Sequence, residues 1–358
     1  MKHSLNFSLF LLIFTCQLNN GLMGQNLRKQ DSPRNVVPAA DAGDRNNNFY
    51  DNEDSFILPV DELYVGGEVE NPGKVDFSKL SKHSVIVKET LLKEDGTDTF
   101  VGAYRYDGYS LFDILNDRII MKKNAAEFKP IIDLYVEIEN QKGEKVILSW
   151  GEIFYPNFLH NTIIATDVMR IVPSKSKDLW PLPVEGKLVV GNDLITERNI
   201  SNPVKITVRS YPKSIPVNRD IDPLYSPEFK IFNGEKILET IKESPKLQLE
   251  TVHTIFYGRG RGIHSTQPFT GFYLKEILGK YFDMNKKNLQ QGLVTVVGKD
   301  GYRSVFSYSE IMNRNDQEEV LLVPCKEEKD GGRFRIFPSC DFFSDRAVKA
   351  VSEIYISW

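Results

Sequence analysis

Apolar and polar positions alternate along several short stretches of the chain, the pattern of strands with one buried face. In the first part of the chain, residues 61–69 and 84–90 read this way. Residues 134–139 and 145–149 do the same on either side of Asn140-Gln141-Lys142-Gly143, a turn in which Gly143 supplies positive φ. Residues 204–208 add a last strand. A second series follows at 229–231, 247–255 and 352–356, with another strand pair around Gly298-Lys299-Asp300-Gly301. Helical spacing is confined to short segments such as Leu111, Ile114 and Leu115, which follow a Gly-aromatic turn. Many short strands, frequent turns and few helices predict an α+β fold weighted to β.

The two series are versions of one another. Tyr106-Asp107-Gly108-Tyr109-Ser110-Leu111-Phe112-Asp113-Ile114-Leu115 pairs with Phe269-Thr270-Gly271-Phe272-Tyr273-Leu274-Lys275-Glu276-Ile277-Leu278. Gly143 pairs with Gly301, Ser149-Trp150 with Ser307-Tyr308, and Glu152-Ile153 with Glu310-Ile311. The same register carries Ile163-Ile164 onto Leu321-Leu322, and further on Glu197-Arg198 pairs with Asp345-Arg346. The repeat is too long for a solenoid unit and predicts two tandem domains, 59–210 and 220–358, divided near the Pro-punctuated segment 211–216.

The N-terminus begins with Lys2, continues through an apolar stretch over residues 5–18 and reaches Gly24-Gln25, the layout of a cleaved signal peptide over residues 1–25. No later stretch is long and apolar enough for a transmembrane helix. The expectation is an exported protein, periplasmic or secreted; a lipoprotein anchored at Cys16 is the second option. Residues 26–57, rich in Asn, Asp and Pro, read as a disordered tether. Removal of the leader would leave Cys325 and Cys340, either joined as a disulfide or standing as two separate thiols. With 45 Lys and Arg against 49 Asp and Glu, the net charge of −4 offers no basic footprint for nucleic acid.

The order of motifs in the second series resembles the oxidoreductase molybdopterin-binding domain of the sulfite oxidase type. The resemblance is carried by Gly271-Phe272-Tyr273-Leu274-Lys275-Glu276-Ile277-Leu278, Asp300-Gly301-Tyr302, Tyr308-Ser309-Glu310-Ile311, Gly332-Arg333-Phe334-Arg335-Ile336-Phe337-Pro338 and Arg346-Ala347-Val348-Lys349. It implies two copies of that fold, and a molybdenum pterin ligated by a cysteine thiolate after the second strand. The corresponding places, near His253-Thr254 and Leu92-Lys93, carry no cysteine. No catalytic residue is therefore expected, and no cofactor beyond the molybdopterin that the resemblance implies.

Candidate chemistry concentrates in Tyr257-Gly258-Arg259-Gly260-Arg261-Gly262-Ile263-His264, where glycines let the backbone approach an anion and two guanidiniums can clamp it. Lys349 and Arg346 lie in the segment that resembles the family's cofactor-contacting stretch. Arg259, Arg261, His264, Arg346 and Lys349 together are expected to form a site for a small anionic ligand. The first copy carries Glu94-Asp95-Gly96-Thr97-Asp98 at the loop and Ser201 in place of Lys349, so it should not attract an anion. His253 and His264, eleven residues apart and without a carboxylate or cysteine at ligand spacing, predict no metal site. Glu152 and Glu310 read as helix caps, and Trp150 and Tyr308 as core. The expected role is non-catalytic binding of a small anion or partner. A molybdopterin-dependent oxidoreductase and a surface assembly or adhesion module are the alternatives.

Overall fold

The computed structural model describes residues 49–325 and 331–358. The expected signal peptide, Cys16 and most of the expected tether lie outside these residues. The end of the tether does not: Ser55–Ile57 forms an edge strand against Thr162–Arg170. The α+β expectation is corrected. Strand makes up 42% of the chain and helix 12%, and four small sheets are arranged like a four-bladed β-propeller, which is not clearly the sulfite oxidase fold. The physical reason lies in helix length. Leu111–Asn116, Trp150–Phe154, Leu274–Leu278, Lys286–Gln291 and Tyr308–Met312 each have only five or six residues, too few to form a layer of their own.

In the first half, Lys82–Leu92, Asp98–Ser110, Thr162–Arg170 and Lys187–Val190 pair in that order, all antiparallel. A second sheet pairs Tyr64–Gly67 in parallel with Pro203–Ser210, which is followed by Leu134–Asn140 and Lys145–Ser149 in antiparallel order. The second half has the same two strand orders. Glu250–Val252, Phe269–Tyr273, Val320–Pro324 and Phe334–Pro338 form one sheet. Phe229–Asn233, parallel to Val351–Ser357, then Leu293–Gly298 and Arg303–Ser307, form the core of the other. The far end of the first half's long hairpin, residues 89–92 with 98–102, has as its counterpart a separate two-stranded hairpin, Phe256–Gly258 with Gly262–Ser265. By contacts, residues 50–358 form one compact unit.

Local chemistry explains the repeated positions. Gly143 (φ 80°) and Gly301 (φ 78°) occupy the left-handed region at the two equivalent hairpin turns. Ser149 and Ser307 each open a short helix with a full capping box, closed by Glu152 and Glu310. Gly108 and Gly271 lie within strands, not at the expected turn. A Cβ on Gly108 would sit 2.1 Å from the Ile164 carbonyl oxygen, and one on Gly271 2.6 Å from that of Leu322. The equivalent neighbouring strand is pressed against each glycine. The first half packs Val65, Leu111, Ile138, Leu148, Trp150 and Ile206 into one core. The second packs Phe229, Leu274, Val296, Phe306, Tyr308 and Ile354 into its counterpart.

Cys325 and Cys340 are not bonded to each other. They sit at opposite ends of one antiparallel ladder, in which Val320 faces Pro338 and Pro324 faces Phe334. Five residues of strand at roughly 3.3 Å each exceed the ~7 Å that a disulfide spans between Cα atoms.

Gly108→Ala and Gly271→Ala should each destabilise the protein by about 1–3 kcal/mol, because the added carbon meets backbone rather than a movable side chain. Gly260→Ala, with open space around it, should change stability by less than about 0.5 kcal/mol. Urea unfolding of the three variants checks this; equal losses would refute the close-approach reading.

Candidate functional site

The Ser344–Arg346 turn has two faces, and they divide the expected site residues. Arg346 is fully buried and points inward. Its Nε and Nη2 donate to the two Asp341 oxygens at 2.8 and 2.6 Å, and Nη2 also donates to Glu310 at 2.5 Å. Arg346 is therefore not part of an anion site, which corrects the sequence expectation. Its charge is consumed by these two carboxylates.

The same arrangement occurs at Arg198. Nε and Nη2 donate to the Asp193 oxygens at 2.8 and 2.7 Å, and Glu152 accepts from both terminal nitrogens at 3.1 Å. Each arginine also reaches the opposite half: Arg198 donates to Ser307 Oγ at 3.0 Å and Arg346 to Ser149 Oγ at 3.2 Å. Ser149 Oγ in turn donates to Glu310 at 2.6 Å. Isolated bridges complete the exchange, Asp193 with Arg314 and Asp341 with Pro156. Burial pushes the carboxyls of Glu152, Asp193 and Asp341 upward, while the facing arginines pull them back. Burial also acts to lower both arginines, yet the paired carboxylates outweigh it and hold them above the ordinary arginine range. Sequence reading paired these residues between halves but not with each other. The missed signal is Asp193 and Asp341 standing five residues before their arginines, each partner to a repeated Glu.

On the outer side of the turn, Ser344, Asp345, Ala347 and Lys349 line a cavity of about 390 Å³ together with Gly258, Gly260, Arg261 and His264 of the Gly-Arg hairpin. Arg219, Leu224, Phe256, Asp300 and Tyr302 complete it. The structure thus brings Arg261, His264 and Lys349 around one space, 85 residues of chain separating the second from the third. Arg259 stands beside this group, with its Nε 3.6 Å from Asp345 Oδ2. Asp300 faces Arg219 at 3.6 Å. Arg261 and Lys349 form no ion pair among the described residues. Burial raises the Asp345 carboxyl above the usual range, against the pull of Arg259. Its Oδ2 has no hydrogen-bond donor. Arg219 lies over the Tyr302 ring at 4.9 Å, and Tyr302 donates to the Asp345 carbonyl at 2.6 Å, which fixes that wall.

The first half has a counterpart of about 420 Å³, lined at equivalent positions by Lys142, Glu144, Thr196, Glu197, Asn199 and Ser201. Two of its three lysines are paired. Lys286 pairs with Glu144 and Glu197, and Lys187 with Glu89. Neither Cys325 nor Cys340 lines either cavity.

One cluster of potential ligand atoms among the described residues was not singled out in the sequence. His83, Asp113 and His160 each bring one ligand atom within 4.8 Å of the others. They come from a strand, a helix and a turn, far apart in the chain, so no spacing motif announces them. No helix among the described residues is long and apolar enough to cross a membrane. No family model matches the chain, and neither does any curated protein.

Arg346→Leu should cost about 3–5 kcal/mol, because it strands Asp341 and Glu310 in the interior without a cation. Arg198→Leu should cost about the same. Chemical denaturation measures both; a loss below ~1 kcal/mol in either would show that the arginine is dispensable to the fold.

Proposed function

We propose that this is a non-catalytic binding protein that holds a small organic anion in the cavity of the second half. One observation carries the reading: Arg261 and Lys349, from separate elements, line the same cavity and have no carboxylate partner among the described residues. Cations that line one cavity without an ion-pair partner of their own favour an anion between them. Leu224, Phe256, Ala347 and Tyr302 provide apolar and aromatic wall, which suits a ligand with a carbon body behind its charged end. The counterpart cavity has Ser201 at the position of Lys349, and its Lys187 and Lys286 are paired to glutamates, which leaves Lys142 alone and makes it no anion site in this reading. Export to the periplasm or medium belongs to the same proposal and rests on residues 1–25.

Sulfate and inorganic phosphate serve as probes. Wild-type protein should bind them in titration calorimetry, more weakly as salt rises. The Arg261→Ala/Lys349→Ala double variant should lose at least ~10-fold in affinity with its melting temperature unchanged. Equal binding by wild type and double variant, or none at all by wild type, would overturn the proposal.

A pH dependence follows from Asp345. Its carboxyl titrates above the ordinary range, so as pH falls it loses its negative charge early and the cavity becomes more positive. Sulfate, which does not titrate over this range, should bind more tightly as pH drops from neutral. Asp345→Asn should bind sulfate more tightly than wild type at neutral pH and show a shallower acid-side rise. An unchanged affinity at neutral pH would exclude Asp345 as the opposing charge.

A further inference from the structure

His83 and His160 stack face to face, ring centroids 3.8 Å apart and planes within 4°. Both turn toward one oxygen: His83 Nε2 lies 2.8 Å from Asp113 Oδ2, and His160 Nδ1 3.6 Å from it. Three elements supply them. His83 is on Lys82–Leu92, Asp113 is in the first turn of Leu111–Asn116, and His160 is in the turn before Thr162–Arg170. Ser110 fixes the carboxylate, accepting from the Asp113 N–H at 3.0 Å and donating its hydroxyl to Oδ2 at 2.7 Å. The same hydroxyl oxygen lies 3.1 Å from His160 Nδ1. The group is neither sealed nor fully exposed; the side chains of His83, Asp113 and His160 are 26%, 24% and 42% accessible.

We propose that His83 Nε2, Asp113 Oδ2 and His160 Nδ1 bind one zinc-class divalent cation, with solvent in the remaining position. Two imidazoles and one carboxylate form a borderline donor set that suits Zn²⁺ and not Mg²⁺ or Ca²⁺, which take oxygen ligands. Bonds of about 2.0–2.2 Å in near-tetrahedral array put donor atoms roughly 3.3 Å apart. The His160–Asp113 separation is already close to that. The His83–Asp113 contact must open by a few tenths of an ångström. Lone pairs of parallel rings do not converge, so His160, the most accessible of the three, tilts out of the stack. At the equivalent positions the second half offers three glutamates instead. Glu250 faces Gly271 where His83 faces Gly108, and Glu276 and Glu318 hold the places of Asp113 and His160.

The test titrates the full-length protein with Zn²⁺ against a chromophoric chelator. Wild type should bind one zinc per chain through this site, and ¹⁵N shifts of His83 Nε2 and His160 Nδ1 should move on binding. His83→Gln, His160→Gln and Asp113→Asn should each weaken binding at least ~10-fold, whereas His264→Gln should not. Melting curves in chelator separate loss of ligand from loss of fold. Should a variant fail to fold, zinc protection of His83 and His160 in wild type against diethylpyrocarbonate gives the same answer. No zinc bound at ~100 μM, no imidazole shift or protection, or undiminished binding by His83→Gln/His160→Gln would overturn the proposal.

Discussion

The structure depends on two arginines that neither half can satisfy alone. Arg198 and Arg346 are each clamped by an Asp five residues earlier and by the capping Glu of a short helix, and each donates to a serine of the other half. Burying such charges costs several kcal/mol per ion unless the hydrogen bonds are complete. Completion here requires both halves, since Ser149 serves Arg346 and Glu310 while Ser307 serves Arg198. Arg314, also buried, adds a further cation beside Glu310 and Cys340. A lone half would leave part of this array facing water or unpaired. That is the physical sense in which residues 50–358 form one unit, although the chain repeats itself.

The same turns connect the interior to the cavities. Alternate residues of a tight turn point to opposite sides, so Arg346 faces the ion cluster while Asp345 lines the outer space. Arg198 and Glu197 divide in the same way in the first half. The ion network therefore holds the cavity walls in place without contributing charge to them. Around this shared frame the two walls diverge. One has glutamates pairing Lys187 and Lys286; the other has the Gly-Arg hairpin tip and Lys349.

What was legible in the sequence is what local physics dictates. Gly143 and Gly301 are readable because a tight hairpin needs positive φ, and Glu152 and Glu310 because a capping box has fixed spacing. The Lys145–Ser149 strand is readable from alternation alone. The 13-residue strand Asp98–Ser110 was not, because Gly102, Asp107 and Gly108 resemble turn residues when read locally. Gly108 is there for the strand beside it, a tertiary cause. In the second half the expected strand over 247–255 shrinks to Glu250–Val252. The fold class failed for a related reason: helical spacing marks short helices but not that they remain single turns between sheets. The Gly-Arg loop and Lys349 could be joined through the family resemblance. His83, Asp113 and His160 could not, since only strand pairing and a turn bring them together.

The repeat itself separates structure from function in this chain. Positions that carry the arginine clamps have the same chemistry in both halves: Asp with Asp, Glu with Glu, Arg with Arg, Ser with Ser. Several positions that face open space do not. Ser201 stands against Lys349, Glu144 against Tyr302, and His160 against Glu318. Packing constrains the first set, because a buried ion left without its partner costs more than most folds can spare. Solvent imposes no such restriction on the second set, so each half is free to acquire its own surface chemistry. A difference between equivalent exposed positions is then more informative about binding than either residue alone. By that measure the Gly-Arg cavity of the second half and the imidazole pair of the first are two places where the halves differ in what they offer a ligand.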